Sequence, residues 1–203
     1  MSPQSVHKSV FPVETMDGLD IKDGQTVVDG TAGGGGHVAL MLDRVGAGGR
    51  VVAIDRDPSA LQRIREKITD PRLCLIQGNF ADLPELLAGE GIGPIDAILL
   101  DLGLSSDQLS DRERGFSFDS DGPLDLRFDP HRGEPAYRLI NRLSADHLAD
   151  LIYNYGEERL SRRIARSIVE RRRQGAIETA AELAEIVRGA YPPQSKREQK
   201  IDP

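Results

Sequence analysis

The segment 30–36 constrains this chain most, because five of its seven residues are glycine. A β-branched run at 25–29 precedes it, and Val38, Met41 and Leu42 then recur at the spacing of one helix face. A strand, a glycine-rich turn and a helix in this order are typical of a cofactor site, because the backbone can pass close to a ligand where no Cβ intervenes. Turns of this composition also occur for structural reasons alone, so the surrounding residues must decide between the two interpretations.

Strand and helix signals alternate through residues 1–105. Apolar runs at 50–55, 73–76 and 95–100 indicate three further strands, and Asp57-Pro58 has the composition of a helix start. Near-continuous apolar strands separated by helices predict a parallel sheet that is covered on both faces. We therefore expect an α/β fold with a Rossmann-like, doubly wound core.

The pattern changes after the fourth strand. Segment 105–135 is rich in Gly, Pro, Asp and Arg without a strand period, which is typical of a long ordered loop or a connection to another domain. Helical periodicity returns at Ser144, Thr179 and Glu182 have the spacing of a capping box, and the tail from Tyr191 is polar and expected to be loose. A chain of 203 residues has room for one or two domains. We predict a cofactor-binding core over 1–105 and a helical domain over 106–203.

Charge and composition exclude several classes of protein. The net charge of −7 argues against a protein that coats nucleic acid by bulk attraction, although residues 151–203 carry 11 Lys and Arg against 8 Asp and Glu. The single cysteine, Cys74, can form neither an intrachain disulfide nor a thiolate metal cluster. Since no apolar run reaches about 18 residues and the N-terminus lacks the pattern of a secretory signal, we expect a cytoplasmic protein without a membrane span.

Acidic residues follow two of the predicted strands. Asp29 stands directly before the glycine turn, where its charge would repel a pyrophosphate, so a dinucleotide-dependent dehydrogenase is disfavoured. A cationic ligand with an ammonium and a sulfonium, S-adenosylmethionine, suits this position better. Asp55 ends the second strand and could accept hydrogen bonds from a ribose diol, or it could serve as a helix cap beside Asp57. Phe80, after the third strand, offers a ring for an adenine, although a single Phe is more often part of a core.

The segment 101–106 follows the fourth strand and should lie at the same edge of the sheet. A weakly nucleophilic exocyclic amine, such as that of cytosine, needs hydrogen-bond acceptors on its N–H groups while it is aligned with a methyl donor. Asp101, Ser105, Ser106 and a backbone carbonyl beside Gly103 could supply these acceptors. The alternative is a structural turn rich in small residues.

Several stretches together resemble one family. The chain is similar, from His7 to about Tyr191, to the bacterial small-subunit ribosomal RNA cytosine-N4 methyltransferases (MraW or RsmH). The stretches that carry the resemblance are 7–10 (HKSV), 29–37 (DGTAGGGGH), 54–58 (IDRDP), 99–109 (LLDLGLSSDQL), 113–118 (ERGFSF), 122–130 (GPLDLRFDP) and 155–159 (YGEER).

The resemblance implies a function and a set of residues. It implies transfer of a methyl group from S-adenosylmethionine to the N4 amine of a cytosine in small-subunit ribosomal RNA, in the 30S particle, with a helical substrate-recognition domain inserted after the fourth strand. A homodimer is compatible with it, and a protein that binds cofactor or RNA without turnover is the alternative. The cofactor-binding residues that it implies are Gly34, Gly35, Gly36 and His37 near the methionine part, Asp55 at the ribose, Phe80 at the adenine, and Asp101 and Gln108 completing the pocket.

The family also continues beyond the length of this chain, with strands that finish the sheet and an Arg-Thr-Phe-Gln-like stretch. We therefore expect a sheet of four strands with an exposed edge.

Two charged clusters leave alternatives open. The arginines at 159, 162, 163, 166 and 171–173 are dense on one predicted helix. They could contact RNA phosphates, or they could form a solvated face opposite Leu160, Ile164 and Ile168, paired with Glu157 and Glu158.

The acidic cluster at 119–129 contains Asp119, Asp121, Asp125 and Asp129. It lacks the complete twelve-residue loop and terminal Glu of a calcium site, so we predict no metal and expect Arg127 and Arg132 as its partners.

Overall fold

The structure is a computed structural model that describes residues 10–192, so the stretch 7–9 of the family-like motifs lies outside the described residues. The chain divides into two compact units between Asp107 and Gln108. This division lies two residues from the boundary predicted between Ser105 and Ser106.

The first unit is built on a parallel sheet in the order β3-β2-β1-β4, which confirms the Rossmann-like α/β core. The sheet consists of β1 (Thr26–Asp29), β2 (Arg50–Asp55), β3 (Leu73–Gln77) and β4 (Ala97–Leu99). The fourth strand is shorter than predicted, because only residues 97–99 pair with β1. Among residues 10–192, no strand pairs with the outer edge of β4, and Ile98 of this strand and Leu100 after it are exposed.

Four helices surround this sheet: α1 (Pro12–Leu19), α2 (Gly36–Arg44), α3 (Pro58–Lys67) and α4 (Leu83–Gly89). The predicted start of α3 is confirmed, since the Asp57 side chain accepts a hydrogen bond from the Ser59 backbone N–H. A 3-10 turn (Phe80–Asp82) leads into α4, where a single short helix over 82–87 was expected. The helix α1 was not predicted from the sequence.

Alternating strand residues divide the apolar core between the two faces of the sheet. Val27 and Val51 pack with α1 and α2 on one face, and Val28 and Val52 pack with Ile76 on the other. These four valines are fully buried, so the strands are apolar on both sides, as a parallel sheet between two layers of helices requires.

The second unit is helical. After α5 (Ser106–Ser110), which spans the division, it contains α6 (Ala136–Arg142), α7 (Ala145–Gly156), α8 (Ser161–Arg171), a 3-10 turn (Arg172–Gln174) and α9 (Ala180–Ala190). The predicted cap of α9 is confirmed, since the Thr179 hydroxyl accepts a hydrogen bond from the Glu182 N–H. The longest of these helices has 12 residues, and none within 10–192 has the length and apolar character that a bilayer-spanning helix needs.

Two features of this unit differ from expectation. The expected irregular segment contains the short helix α5. The loose tail was expected to begin at Tyr191, but that residue is buried and its hydroxyl donates a hydrogen bond to the Glu158 carboxylate, 2.5 Å away. Tyr191 therefore belongs to the core, and the rest of the expected tail, 193–203, lies outside the described residues.

Buried arginine contacts order the long segment before α6. Arg114 is buried, and its Nη2 donates to the carbonyl oxygens of Arg127 and Phe128, each 2.6 Å away. Its guanidinium also lies 5.5 Å from the ring centre of Phe116. These contacts tie 114–116 to 127–128, which agrees with the expectation of an ordered loop.

Candidate cofactor and acceptor site

Three carboxylates lie at the carboxyl edge of neighbouring strands. Asp29 ends β1 and is in register with Ala53 of β2 and Leu99 of β4. Asp55 and Asp101 each follow these partners by two residues. The charges of Asp55 and Asp101 both act on the Asp29 carboxylate. The fold therefore brings together the acids that the sequence analysis assigned to cofactor and acceptor.

The glycine turn needs glycine at the start of α2. Gly35 caps this helix at a φ of +81°, in the left-handed region that disfavours side chains. A Cβ at this position would also lie 2.9 Å from Cγ1 of Ile64. Gly34 is half-buried and Gly36 is the first, exposed residue of the helix, so the turn presents backbone rather than side chains.

Asp29 is a buried carboxylate. It is 1% exposed, and its Oδ1 accepts one hydrogen bond, from the Thr31 N–H at 3.0 Å. The pKa of this carboxyl is raised to about 6, mainly by burial. The Thr31 N–H and His37 lower the pKa in part, and the charges of Asp55 and Asp101 add to the increase. A cation bound here would relieve the cost of burying the negative charge.

The Asp55 carboxylate is hydrogen-bonded to the glycine turn. Its Oδ2 accepts a hydrogen bond from the Gly33 N–H at 2.8 Å, and its Oδ1 accepts one from the Asp57 N–H at 2.9 Å. Asp57, not Asp55, caps α3, so the helix-cap interpretation of Asp55 is wrong. Burial is the main cause that raises the pKa of Asp55. Each carboxylate oxygen keeps acceptor capacity for a ligand hydroxyl.

His37 and Phe80 lie near the glycine turn through contacts with residues distant in sequence. His37 is buried in the first turn of α2, and its Nε2 lies 3.1 Å from the Val10 carbonyl oxygen. Phe80 is half-buried, and its Cβ would be 3.1 Å from a Cβ placed on Gly30. Phe80 therefore lies against the first glycine of the turn.

The segment 101–106, which we call the acceptor segment after its predicted role, is anchored at its first residue. The Asp101 N–H donates to the Thr31 Oγ1 at 2.7 Å, and Asp101 is half-buried. Ser105 is half-buried, and Ser106 is exposed as the first residue of α5. Gln108 is buried two residues later, as the first residue of the second unit.

Thr31 is the residue that the sequence analysis did not single out. Its N–H donates a hydrogen bond to the Asp29 carboxylate, and its hydroxyl accepts one from the Asp101 N–H. Thr31 therefore links two of the three acidic residues. A threonine in a glycine-rich turn suggests only a local hydrogen bond, whereas Thr31 and Asp101 are 70 positions apart in sequence.

We predict that Thr31→Val loosens the acceptor segment and Thr31→Ser does not. Valine has nearly the volume of threonine but cannot accept the Asp101 N–H, and leaving that donor unpaired costs about 1–3 kcal/mol. Hydrogen exchange followed by mass spectrometry should show the Asp101 amide exchanging roughly fivefold faster or more in Thr31→Val, at the lower end of that cost. Equal exchange in the wild type and Thr31→Val would contradict the prediction.

The acidic cluster at 119–129 is held by protein groups. Asp125 pairs with Arg127 through both oxygens, and the side-chain hydrogen bond with that arginine lowers the pKa of Asp125. Asp129 accepts a hydrogen bond from the His131 N–H, and Arg132 contacts it only through backbone atoms, so the expected Arg132 ion pair is wrong. Within the described part of the chain, no group of three or more His, Cys, Asp or Glu residues could hold a metal ion.

Comparison with known proteins decides the family. The model of the MraW methylase family matches residues 4–203. The chain belongs to the MraW methylase family. A protein of Deinococcus deserti that is named ribosomal RNA small subunit methyltransferase H is 48% identical to this family member over 191 residues. That alignment covers 94% of this chain and 62% of the relative, so the chain spans less than two thirds of the length of the relative.

Solved structures resemble this MraW family member over part of its length. A proposed rRNA methylase from Clostridium thermocellum is 28% identical, over 42% of this chain and 49% of that one, with a TM-score of 0.38. A SAM-dependent methyltransferase from Aquifex aeolicus is 24% identical, over 34% and 38% of the two chains, with a TM-score of 0.32. Since both TM-scores are low, family membership rests on the sequence matches.

Proposed function

We propose that this MraW family member transfers a methyl group from S-adenosylmethionine to the N4 amine of a cytosine in small-subunit ribosomal RNA. The observation that carries the proposal is the buried Asp29 carboxylate beside a turn of bare backbone, at an edge that also holds Asp55 and Asp101. The name of the Deinococcus relative supports the substrate class. A pyrophosphate would be repelled at this edge, whereas a ligand with an ammonium and a sulfonium is attracted.

The described residues fit this cofactor. Asp29 offers a buried negative charge for the ammonium, and Gly34, Gly35 and Gly36 present backbone to the methionine part, with His37 behind them. Asp55 retains acceptor capacity for the ribose hydroxyls. Phe80 supplies a half-buried ring for the adenine. The resemblance also assigned Gln108 to the cofactor, and this residue is the first of the second unit.

The chemistry asks the protein for positioning. When bound, the cofactor supplies a methyl group that is already activated by its sulfonium, so the protein needs neither a covalent nucleophile nor a metal. The Asp101 carboxylate, the hydroxyls of Ser105 and Ser106 and a carbonyl beside Gly103 accept hydrogen bonds from the N–H groups of the amine. These bonds orient the lone pair of the amine nitrogen. The Asp101 carboxylate also takes up the proton that the amine loses. Alignment of this kind can lower a barrier by up to about 7–11 kcal/mol.

In this function the first unit binds the cofactor and the second unit recognises the RNA. The reaction takes place in the cytoplasm, where small ribosomal subunits are the partner of this protein. Sedimentation equilibrium distinguishes a monomer from the homodimer that the sequence analysis allowed.

The test is methyl transfer with identification of the product. The protein is incubated with methyl-labelled cofactor and unmethylated 30S particles, and the digested RNA is analysed by mass spectrometry. We expect label in N4-methylcytidine. Label in another nucleoside would overturn the acceptor assignment, and cofactor binding without transfer would leave a binding protein instead of an enzyme.

We predict that the site binds S-adenosylhomocysteine, gives no binding signal with NAD, and depends on Asp55. Asp55→Ala removes the acceptor of the Gly33 and Asp57 N–H groups as well as that of the ribose. Affinity for S-adenosylhomocysteine should fall by about 1–3 kcal/mol, or roughly 5- to 150-fold, as measured by calorimetry. Asp43→Ala, on the exposed side of α2, is the matched control. Preference for NAD would exclude the methyltransferase assignment.

A further inference from the structure

The most basic stretch of this acidic chain lies in the second unit. Residues 159–173 contain seven arginines and one acid, Glu170. In α8, Ile164 and Ile168 are buried in the core of the unit, whereas Arg162, Arg163 and Arg166 are exposed on the other side of the helix. Arg171 is the last residue of α8, and Arg172 and Arg173 lie in the following 3-10 turn, where Arg173 is exposed.

Two of the seven arginines have structural partners. Arg171 forms an ion pair with Glu182, and Arg172 donates to the carbonyl oxygen of Ile140 at 2.6 Å. Both are half-buried, so they contribute to the packing of α8 against its neighbours.

The remaining arginines lack the acids that the alternative interpretation required. Glu158 accepts hydrogen bonds from the Leu160 N–H and the Tyr191 hydroxyl rather than from an arginine. Glu157 is exposed and lies in no ion pair with these arginines. Within residues 10–192, no acid forms an ion pair with the exposed arginines Arg159, Arg162, Arg163 and Arg166, which we call the arginine face.

We propose that the arginine face, which consists of three residues of α8 and Arg159 just before it, docks the phosphate backbone of the RNA substrate; this inference rests on the proposed function. Guanidinium groups form paired hydrogen bonds with phosphate oxygens, and exposed guanidinium groups without protein partners are available for them. The chain as a whole carries a net charge of −7. The positive charge that is complementary to RNA phosphates is therefore a local property of the arginine face.

The composition of the face favours RNA over an acidic protein. The core of a protein–protein interface usually contains apolar or aromatic anchors. No large apolar side chain of α8 is among the exposed ones, so the three arginines of this helix have no such anchor on α8 itself. A polyphosphate backbone needs only the charge.

The test measures how salt affects RNA affinity when the face is neutralised. The triple variant Arg162→Ala, Arg163→Ala, Arg166→Ala is compared with the wild type by fluorescence anisotropy, using a labelled 30-nucleotide RNA hairpin between 50 and 200 mM salt. Each lost phosphate contact lowers the slope of log affinity against log salt by about 0.7–0.9, so three lost contacts should lower it by about 2–3. Affinity at 100 mM salt should fall tenfold or more.

Two matched variants separate the face from bulk charge and from misfolding. Arg44→Ala, Arg50→Ala, Arg65→Ala removes the same charge from exposed positions of the first unit and should keep the wild-type slope. Replacing the three face arginines by lysine should keep most of the slope, since the charge remains. Circular dichroism and S-adenosylhomocysteine affinity should be unchanged in all three variants.

Three results would overturn the proposal: no RNA binding by the wild type, an unchanged slope in the triple alanine variant, or an equal loss in the control. The outcome is separate from that of the proposed function. RNA binding that depends on the face, without methylation of 30S particles, would reject the enzyme and retain the surface. Methylation of 30S particles with an unchanged slope in the triple alanine variant would retain the enzyme and reject the surface.

Discussion

Asp101→Asn should abolish most methyl transfer while leaving the fold intact, with a loss of roughly 100-fold or more in a single turnover. An aspartate offers only acceptors to the amine of the target base, whereas asparagine places an NH₂ donor against its N–H groups. The fold should survive, because the Asp101 backbone N–H, not its side chain, bonds to Thr31. The measurement is the rate at which enzyme-bound, methyl-labelled cofactor modifies small ribosomal subunits.

The controls for this prediction are Cys74→Ala and an added chelator, neither of which should reduce the rate. Cys74 is half-buried in β3, away from the carboxyl edge residues, and burial raises the pKa of its thiol. Circular dichroism checks the folding of each variant. Transfer by Asp101→Asn at the wild-type rate would move the acceptor site elsewhere, and loss of transfer with chelator would show that a metal takes part.

Asp29→Asn should make the ligand-free protein more stable at neutral pH and weaken its affinity for the cofactor. The pKa of Asp29 in the folded protein is about 6, above its value in the unfolded chain. The stability contribution of this group is therefore fully present below about pH 4 and is lost as pH rises through 6. Between pH 4.5 and 7 the wild type should lose about 2 kcal/mol relative to the variant, by linkage.

The test is denaturant unfolding of the wild type and Asp29→Asn at pH 4.5, 5.5 and 7, with dilute protein. The asparagine can still accept the Thr31 N–H, so the comparison isolates the charge. Affinity for S-adenosylhomocysteine at pH 7 should fall about 10- to 100-fold, because the variant lacks the charge that meets the ammonium. A difference in stability that does not change with pH would contradict the raised pKa, and an unchanged affinity would place the ammonium elsewhere.

Local patterns predicted much of this protein. Runs of β-branched residues marked the strands because both faces of a parallel sheet are buried, and Val27, Val28, Val51 and Val52 are all buried. Caps such as Asp57 and Thr179 could be predicted because each bonds to a backbone N–H two or three residues away. The helix α1 was missed because its exposed Val13 and lone buried residue, Met16, make a weak periodic signal.

The sequence by itself determined the family, the Rossmann-like core and the acids at the ends of its strands, since each depends on residues that are close together in the chain. Only the tertiary structure decided which groups these residues bond to. In the structure, the Asp55 carboxylate accepts a hydrogen bond from the Gly33 N–H, and the Thr31 hydroxyl accepts one from the Asp101 N–H. The Glu158 carboxylate accepts a hydrogen bond from the Tyr191 hydroxyl and not from an arginine. The physical reason is that a hydrogen-bond donor takes whichever acceptor folding brings within about 3 Å, and that choice depends on chain segments far apart in sequence.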